Sequence, residues 1–384
     1  MNSPLIWAEI DLKAIAHNIS ALRNITNPNA KLMAVVKANA YGHGMKEIAF
    51  TALKHGAETL GVARINEGIQ LRKWGIESNI LIFGFCGKDD VKDIIEFNLT
   101  PTIFSIQMAK ELSNAAACFN KKIKTHIKID TGMGRLGLVH DSLRLNYPNS
   151  QSSLIKDIAL ILKNKNLFVE GIYTHFATAD SQDKSFAKMQ LDLFFDCLEK
   201  LKYAGIDIPI KHAANSAATI ELPEAHFDMV RLGISLYGLY PSNEINKKNI
   251  DLKPALSLKS KIIQLKHVPK DFTVSYGCTY KTSKPSIIAT VPVGYADGYN
   301  RNLSSKGYML VKGKRANIAG RVCMDITMLD VSHIPDIEIG DEVVIYGEQC
   351  NECISVDEVA ENLHTINYEI VSIIATKVPR VYSC

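Results

Sequence analysis

The run of about 18 consecutive apolar residues that a membrane-spanning helix requires occurs nowhere in this chain. Nor is there a long block of Lys and Arg interleaved with aromatics. The net charge is only +4, spread over 384 residues, which argues against nucleic acid as a partner. The opening "MNSPLIWAEIDLKAI" carries Glu9 and Asp11 and lacks a signal-peptide apolar core. A cytoplasmic protein without membrane contact is expected. No repeat period or low-complexity tract is visible. Eight cysteines are present but scattered, and without a secretion signal they read as reduced thiols. The pair in "CNEC", Cys350 and Cys353, lacks the second pair that would make a zinc site specific. Exposed loop thiols are expected there, and no metal.

With 47% hydrophobic and 22% charged residues, the chain should fold as an ordinary globule, and its length favours two domains. Short apolar runs recur: "LMAVV" (32–36), "TLGVA" (59–63), "NILIFG" (79–84), "LTPTIF" (99–104), "THIKI" (125–129), "LFVEGIYTHF" (167–176), "PIKHAAN" (209–215) and "DMVRLGISLYG" (228–238). Between several of them lie amphipathic segments with three- and four-residue apolar spacing, such as 89–98 and 187–205. Eight strand–helix units point to an α/β fold, a parallel (β/α)8 barrel over 1–240. The polar, proline-flanked stretch 241–254 reads as a linker. Beyond it, short β runs broken by Gly, Pro and Asp predict a smaller, mostly β domain over 241–384, with helix mainly near "SVDEVAENL".

In such barrels the active residues sit at the C-terminal strand ends and in the loops that follow. Lys37 ends the first strand. Lys128 and Asp130 end the fifth, with Arg135 in the loop. Tyr173 and His175 end the sixth, and His212, Asn215 and Ser216 the seventh. Arg231 and Gly233 lie in the eighth. An amine with an ordinary pKa of about 10.4 becomes a nucleophile when burial and nearby cations lower that value. A buried lysine on an active rim therefore suits a Schiff base, typically with pyridoxal phosphate; a lysine snorkelling from the barrel mouth is the alternative. Ser216, Gly233 and Tyr41 offer a hydroxyl, a close backbone approach and a phenol to a phosphate. "GMGRLG" (132–137) satisfies a dinucleotide pattern literally. The stretch "LVHDSLRLNYPNS" after it has no clean helical face, so a nicotinamide site is not expected.

The chain resembles bacterial alanine racemases, pyridoxal-phosphate enzymes of fold type III. The resemblance runs from "AEIDLKAIAHN" to "INYEI" through "AVVKANAYGHG", "HIKIDTGMGRLG", "YTHFATAD", "HAANSAA", "MVRLGISLYG", "VSYGCTY", "VPVGYADGY" and "GRVCMD". It implies a head-to-tail homodimer with shared active sites that interconverts L- and D-alanine and supplies D-alanine for peptidoglycan. Lys37 resembles the Schiff-base lysine and one of two bases. Tyr276 resembles the opposing base, reaching in from the partner subunit, and His175 the histidine that helps polarise it. Arg231 resembles the residue facing the cofactor's pyridine nitrogen, with His212 orienting it. Tyr41, Asn215, Ser216, Gly233, Ile234 and Tyr368 match cofactor contacts. Arg135 and the Met324 backbone amide match substrate-carboxylate contacts. Lys128 sits where many members carry a carbamylated lysine, and Tyr295, Arg321 and Asp180 match residues that narrow the access channel.

Two bases suit a racemase, because a proton leaves one face of Cα and arrives on the other, and each base must reach Cα. Other readings of the same barrel are a broad-specificity or serine racemase, a decarboxylase of basic amino acids and a non-catalytic carrier. The decarboxylases typically present Glu rather than Arg to the pyridine nitrogen, and carriers usually lack a β domain. Trp7, Trp74, His17, His55 and His126 read as packing or surface groups.

Overall fold

The computed structural model describes residues 4–144 and 153–383, and the chain forms two compact units. The first comprises Ala14–Ala40 and Met45–Lys253. Among the described residues eight parallel strands follow one another around its sheet, with a two-residue ninth paired to the fifth: Lys31–Val35, Thr59–Val62, Asn79–Ile82, Thr100–Ile103, Ile123–Asp130, Leu167–Tyr173, Ile210–His212 and Met229–Leu232. The last pairs with the first in parallel register, Arg231 opposite Met33. Backbone bonds from Asp228 N to Lys211 O (3.0 Å) and Arg231 N to Ala214 O (3.1 Å) tie the seventh strand to the eighth. The sheet therefore curls into a barrel, with one strand under each expected apolar run.

These strands read as unbroken apolar runs because helices cover one side and the barrel interior the other; Thr59–Val62, for example, is buried at every residue. Serine hydroxyls cap two of the covering helices: Ser105 accepts from Met108 N ahead of Ile106–Ala117, and Ser153 from Lys156 N ahead of Leu154–Leu162. After "GMGRLG" come a two-residue strand, Leu138–Val139, and a 3-10 turn, Asp141–Leu143. Residues 145–150 of that stretch lie outside those described. No described helix is long and apolar enough to cross a membrane.

The second unit joins the start of the chain up to Lys13, the loop Tyr41–Gly44, and everything from Pro254. The expected division at residue 240 thus differs from the observed one in three respects: the barrel unit runs on to Lys253, the chain begins in the β unit, and the loop Tyr41–Gly44 belongs to the β unit as well. Strand Ile6–Asp11 pairs antiparallel with Leu256–Lys261 and parallel with Arg380–Ser383, pairings that local periodicity cannot reveal. Leu256–Lys261 alternates buried and half-buried residues, the pattern of a sheet with one covered face. The expected helix appears as Val356–Asn362, and a second, Asn367–Ser372, carries Tyr368. Cys350 and Cys353 are exposed free thiols at a hairpin end.

Candidate active site

Lys37 lies two residues beyond the first barrel strand and is half-buried. The next four residues, Ala38 to Tyr41, all have left-handed backbone angles, φ between 51° and 54°. None is glycine, so each opposes a steric preference of about 1–2 kcal/mol. Such a turn persists only where its surroundings hold it. In the barrel unit Ala40 N donates to Val36 O (2.9 Å), Met45 N to Asn39 Oδ1 (2.9 Å) and Ala38 N to Glu67 Oε1 (2.7 Å). In the β unit Arg380 Nε donates to Gly42 O (2.9 Å), and a Cβ at Gly42 would lie 2.0 Å from Val371 O. That close approach accounts for the first glycine of "YGHG".

The lysine is cationic only against resistance. Burial lowers its pKa most, Arg135 adds to this, and Glu67 works the other way. Lys128, buried on the fifth strand, is pushed down to about 8, chiefly by burial and then by Arg135 and Arg231. An anion entering this cluster would meet several cations at once.

Arg231 is buried and almost fully engaged. Nη1 donates to His212 Nδ1 (2.9 Å); Nη2 donates to Thr174 O (2.9 Å), Ala213 O (2.8 Å) and His175 Nδ1 (3.1 Å). Guanidinium only donates, so both histidines accept at Nδ1 and carry their proton on Nε2. Their pKa values are held well below the usual range, first by burial and then by Arg231. His212 Nε2 consequently donates to His126 Nδ1 (2.9 Å), whose own Nε2 faces Glu170 Oε1 at 3.7 Å. His126 is therefore part of the arginine's support, where the sequence suggested a bystander. Gly171 makes room for it, since a Cβ there would lie 2.3 Å from His126 Nδ1. Tyr173 stacks on His212 with ring centroids 4.5 Å apart.

The residues present fit a phosphorylated pyridine cofactor. Among the described residues the Nε–H of Arg231 has no acceptor, and a ring nitrogen supplies one. Ser216 Oγ, buried at the seventh strand's end, accepts from Gly233 N (2.9 Å), Ser235 N (3.3 Å) and Ser235 Oγ (2.9 Å). Donors already converge there, as a phosphate requires. Ile234 is buried beside them, and Asn215 caps the turn by accepting from Ala218 N (3.0 Å). Asp180 is half-buried, and Arg135 is exposed in its loop.

The other expected residues lie in the β unit. Tyr41 and Tyr368 face each other with ring centroids 6.2 Å apart. Tyr276 follows Ser275, itself left-handed at φ 66°, whose Oγ donates to Arg321 O (2.6 Å). Beneath this turn Val268, Val274, Ile288 and Ala319 form an apolar cluster. Tyr276 is 71% exposed and Met324 54%, and they share a cavity of about 540 Å³ with Cys323 and Met328. Tyr295 N donates to Cys323 O (3.1 Å), which ties its backbone to the same segment.

Two family models span the chain: "Alanine racemase, N-terminal domain" over residues 10–241 and "Alanine racemase, C-terminal domain" over 255–382. The alanine racemase of Desulfosudis oleivorans is 48% identical over 382 residues, 100% of this chain and 97% of that one. The solved alanine racemase of Clostridium difficile superposes with a TM-score of 0.92 at 38% identity, covering 100% of this chain and 97% of that one. A histidine racemase structure from Leuconostoc mesenteroides matches with a TM-score of 0.86 at 27% identity, covering 100% and 99%.

Proposed function

Because this chain belongs to the alanine racemase family, we propose that it interconverts L- and D-alanine with pyridoxal 5'-phosphate as cofactor, in two active sites shared across a homodimer. The observation that carries this reading is Arg231, fixed through its two Nη atoms by four acceptors, with no acceptor at Nε–H among the described residues. The bound cofactor supplies an electron sink that acidifies the substrate Cα. Arg231 donates to the ring nitrogen and cannot protonate it. That keeps the sink weak, which favours fast return of the proton over transamination.

Lys37 holds the cofactor and removes or delivers a proton on one face of Cα. Tyr276 of the partner subunit serves the other face, its phenolate stabilised by His175 and nearby cations. Ser216, Gly233 and Ile234, with Tyr41 and Tyr368, hold the phosphate. Arg135 and the partner's Met324 amide hold the substrate carboxylate. Exposure of Tyr276, Met324, Tyr295 and Ile326 on one unit supports a second copy as their cover. The D-alanine formed would serve peptidoglycan synthesis in the cytoplasm.

The test is an absorbance spectrum of purified protein before and after borohydride, with peptide mapping and a racemisation assay. The expected results are a visible chromophore, reduction onto Lys37 and activity on alanine above serine. Absence of a chromophore after adding pyridoxal phosphate would sink the proposal. Because a histidine racemase shares this fold, histidine belongs in the assay, and a preference for it or for serine would change the substrate assigned.

A further inference from the structure

Glu67 opens the helix Ile65–Lys73, where a carboxylate at the third position ordinarily caps its own helix. Its Oε2 does this, accepting from Ala63 N (2.9 Å) and Arg64 N (3.0 Å). Helix capping needs no more than that one oxygen. The other, Oε1, reaches across to the neighbouring strand end and accepts from Ala38 N (2.7 Å). Ala38 follows Lys37 directly and begins the left-handed turn. An alanine does not enter that region by preference, so something outside the turn has to hold it.

We propose that Glu67 is a positioning residue for Lys37, clamping the left-handed turn so that the lysine side chain is aimed into the barrel mouth. The inference rests on the reading of Lys37 as the amine that takes the cofactor. The clamp stands on a rigid base, because the same carboxylate is pinned by two N–H groups of the second strand's loop. Glu67 also provides the opposing charge to Lys37. Among the described residues Arg135, Lys128 and His175 also act on that amine, and the first two are cations.

Two variants separate clamp from charge. Glu67→Gln offers one acceptor oxygen where three N–H groups converge. Glu67→Asp keeps the charge and the helix cap but is one methylene too short to reach Ala38. The cofactor-free proteins are mixed with pyridoxal phosphate at several pH values, quenched with borohydride at timed intervals, and mapped for label on Lys37. Hydrogen exchange of the peptide containing Ala38 is followed in parallel.

Both variants should label Lys37 more slowly by on the order of tenfold, the scale of one charge-assisted hydrogen bond, and exchange Ala38 faster. Only Glu67→Gln should also move the labelling midpoint to lower pH. Adding Ala38→Gly to either should restore part of the rate, because glycine enters the left-handed region unaided. Wild-type rates and exchange in Glu67→Asp, or absence of rescue by Ala38→Gly, would overturn the clamp. Failure of the wild-type protein to label at Lys37 would instead overturn the reading on which it rests.

Discussion

Arg231 donates from Nη1 to Nδ1 of His212 across 2.9 Å, and that one bond sets the tautomers of the histidines behind it. The arginine cannot accept, so His212 must, and the proton displaced to Nε2 is passed to His126. Glu170 ends the row, and Lys124 Nζ lies 3.4 Å from its Oε2.

His212→Phe preserves a flat ring against Tyr173 but removes both of the imidazole's hydrogen bonds. Arg231 Nη1 and His126 Nδ1 lose their partner in a buried site, at a cost of about 1–3 kcal/mol. The denaturant midpoint of the cofactor-free protein should fall accordingly, with a fall in activity as Arg231 loosens. A midpoint equal to wild type would show that the row contributes nothing.

Stability should fall with acidity. Burial, the first cause for each, holds His126, His175 and His212 below the ordinary 6.5. Below that pH the unfolded chain takes up protons that the native state refuses. Stability is therefore fully present above 6.5 and lost below it, by up to about 1.4 kcal/mol per pH unit per histidine. Urea unfolding of the cofactor-free protein between about pH 5 and pH 8 measures the slope. A flat profile below 6.5 would show that the histidines are charged in the fold.

Lys128, at about 8, presents more neutral amine near physiological pH than an ordinary lysine, and a neutral amine adds CO₂ with loss of one proton. The carbamate would be an anion beside Arg135. Native mass spectrometry at neutral pH should show the mass of one CO₂ per chain, lost on acidification and missing in Lys128→Ala. Absence of that added mass from the wild-type protein as well as from the variant would rule the modification out.

Shared sites can be tested by mixing inactive subunits. Lys37→Ala and Tyr276→Phe each remove one base and should abolish or strongly reduce racemisation. Refolded together, they should regain about a quarter of wild-type activity, because random pairing makes half the dimers mixed and each mixed dimer has one intact site. No recovery would place both bases in a single chain's site.

The eight barrel strands were legible because buried parallel strands leave apolar runs that need no partner to be recognised. The rim lysine, histidines and arginine followed from their places at the ends of those runs. Ile6–Asp11 was not legible, since a short strand that pairs with Leu256–Lys261 and Arg380–Ser383 carries no local sign of its sheet. Glu67 was hidden inside an ordinary helix-start pattern, and the left-handed turn inside "KANAY", which contains no glycine to announce it.

Sequence by itself determined which residue types stand at each strand end, because side-chain chemistry and periodicity are local. Tertiary structure decided what those residues are to one another. Only folding buries Arg231 among acceptors 2.8–3.1 Å away, sets His126 behind His212, and brings Glu67 to Ala38. Hydrogen bonds act over about 3 Å, and burial, which shifts every pKa in the site, exists only once distant segments have closed around it.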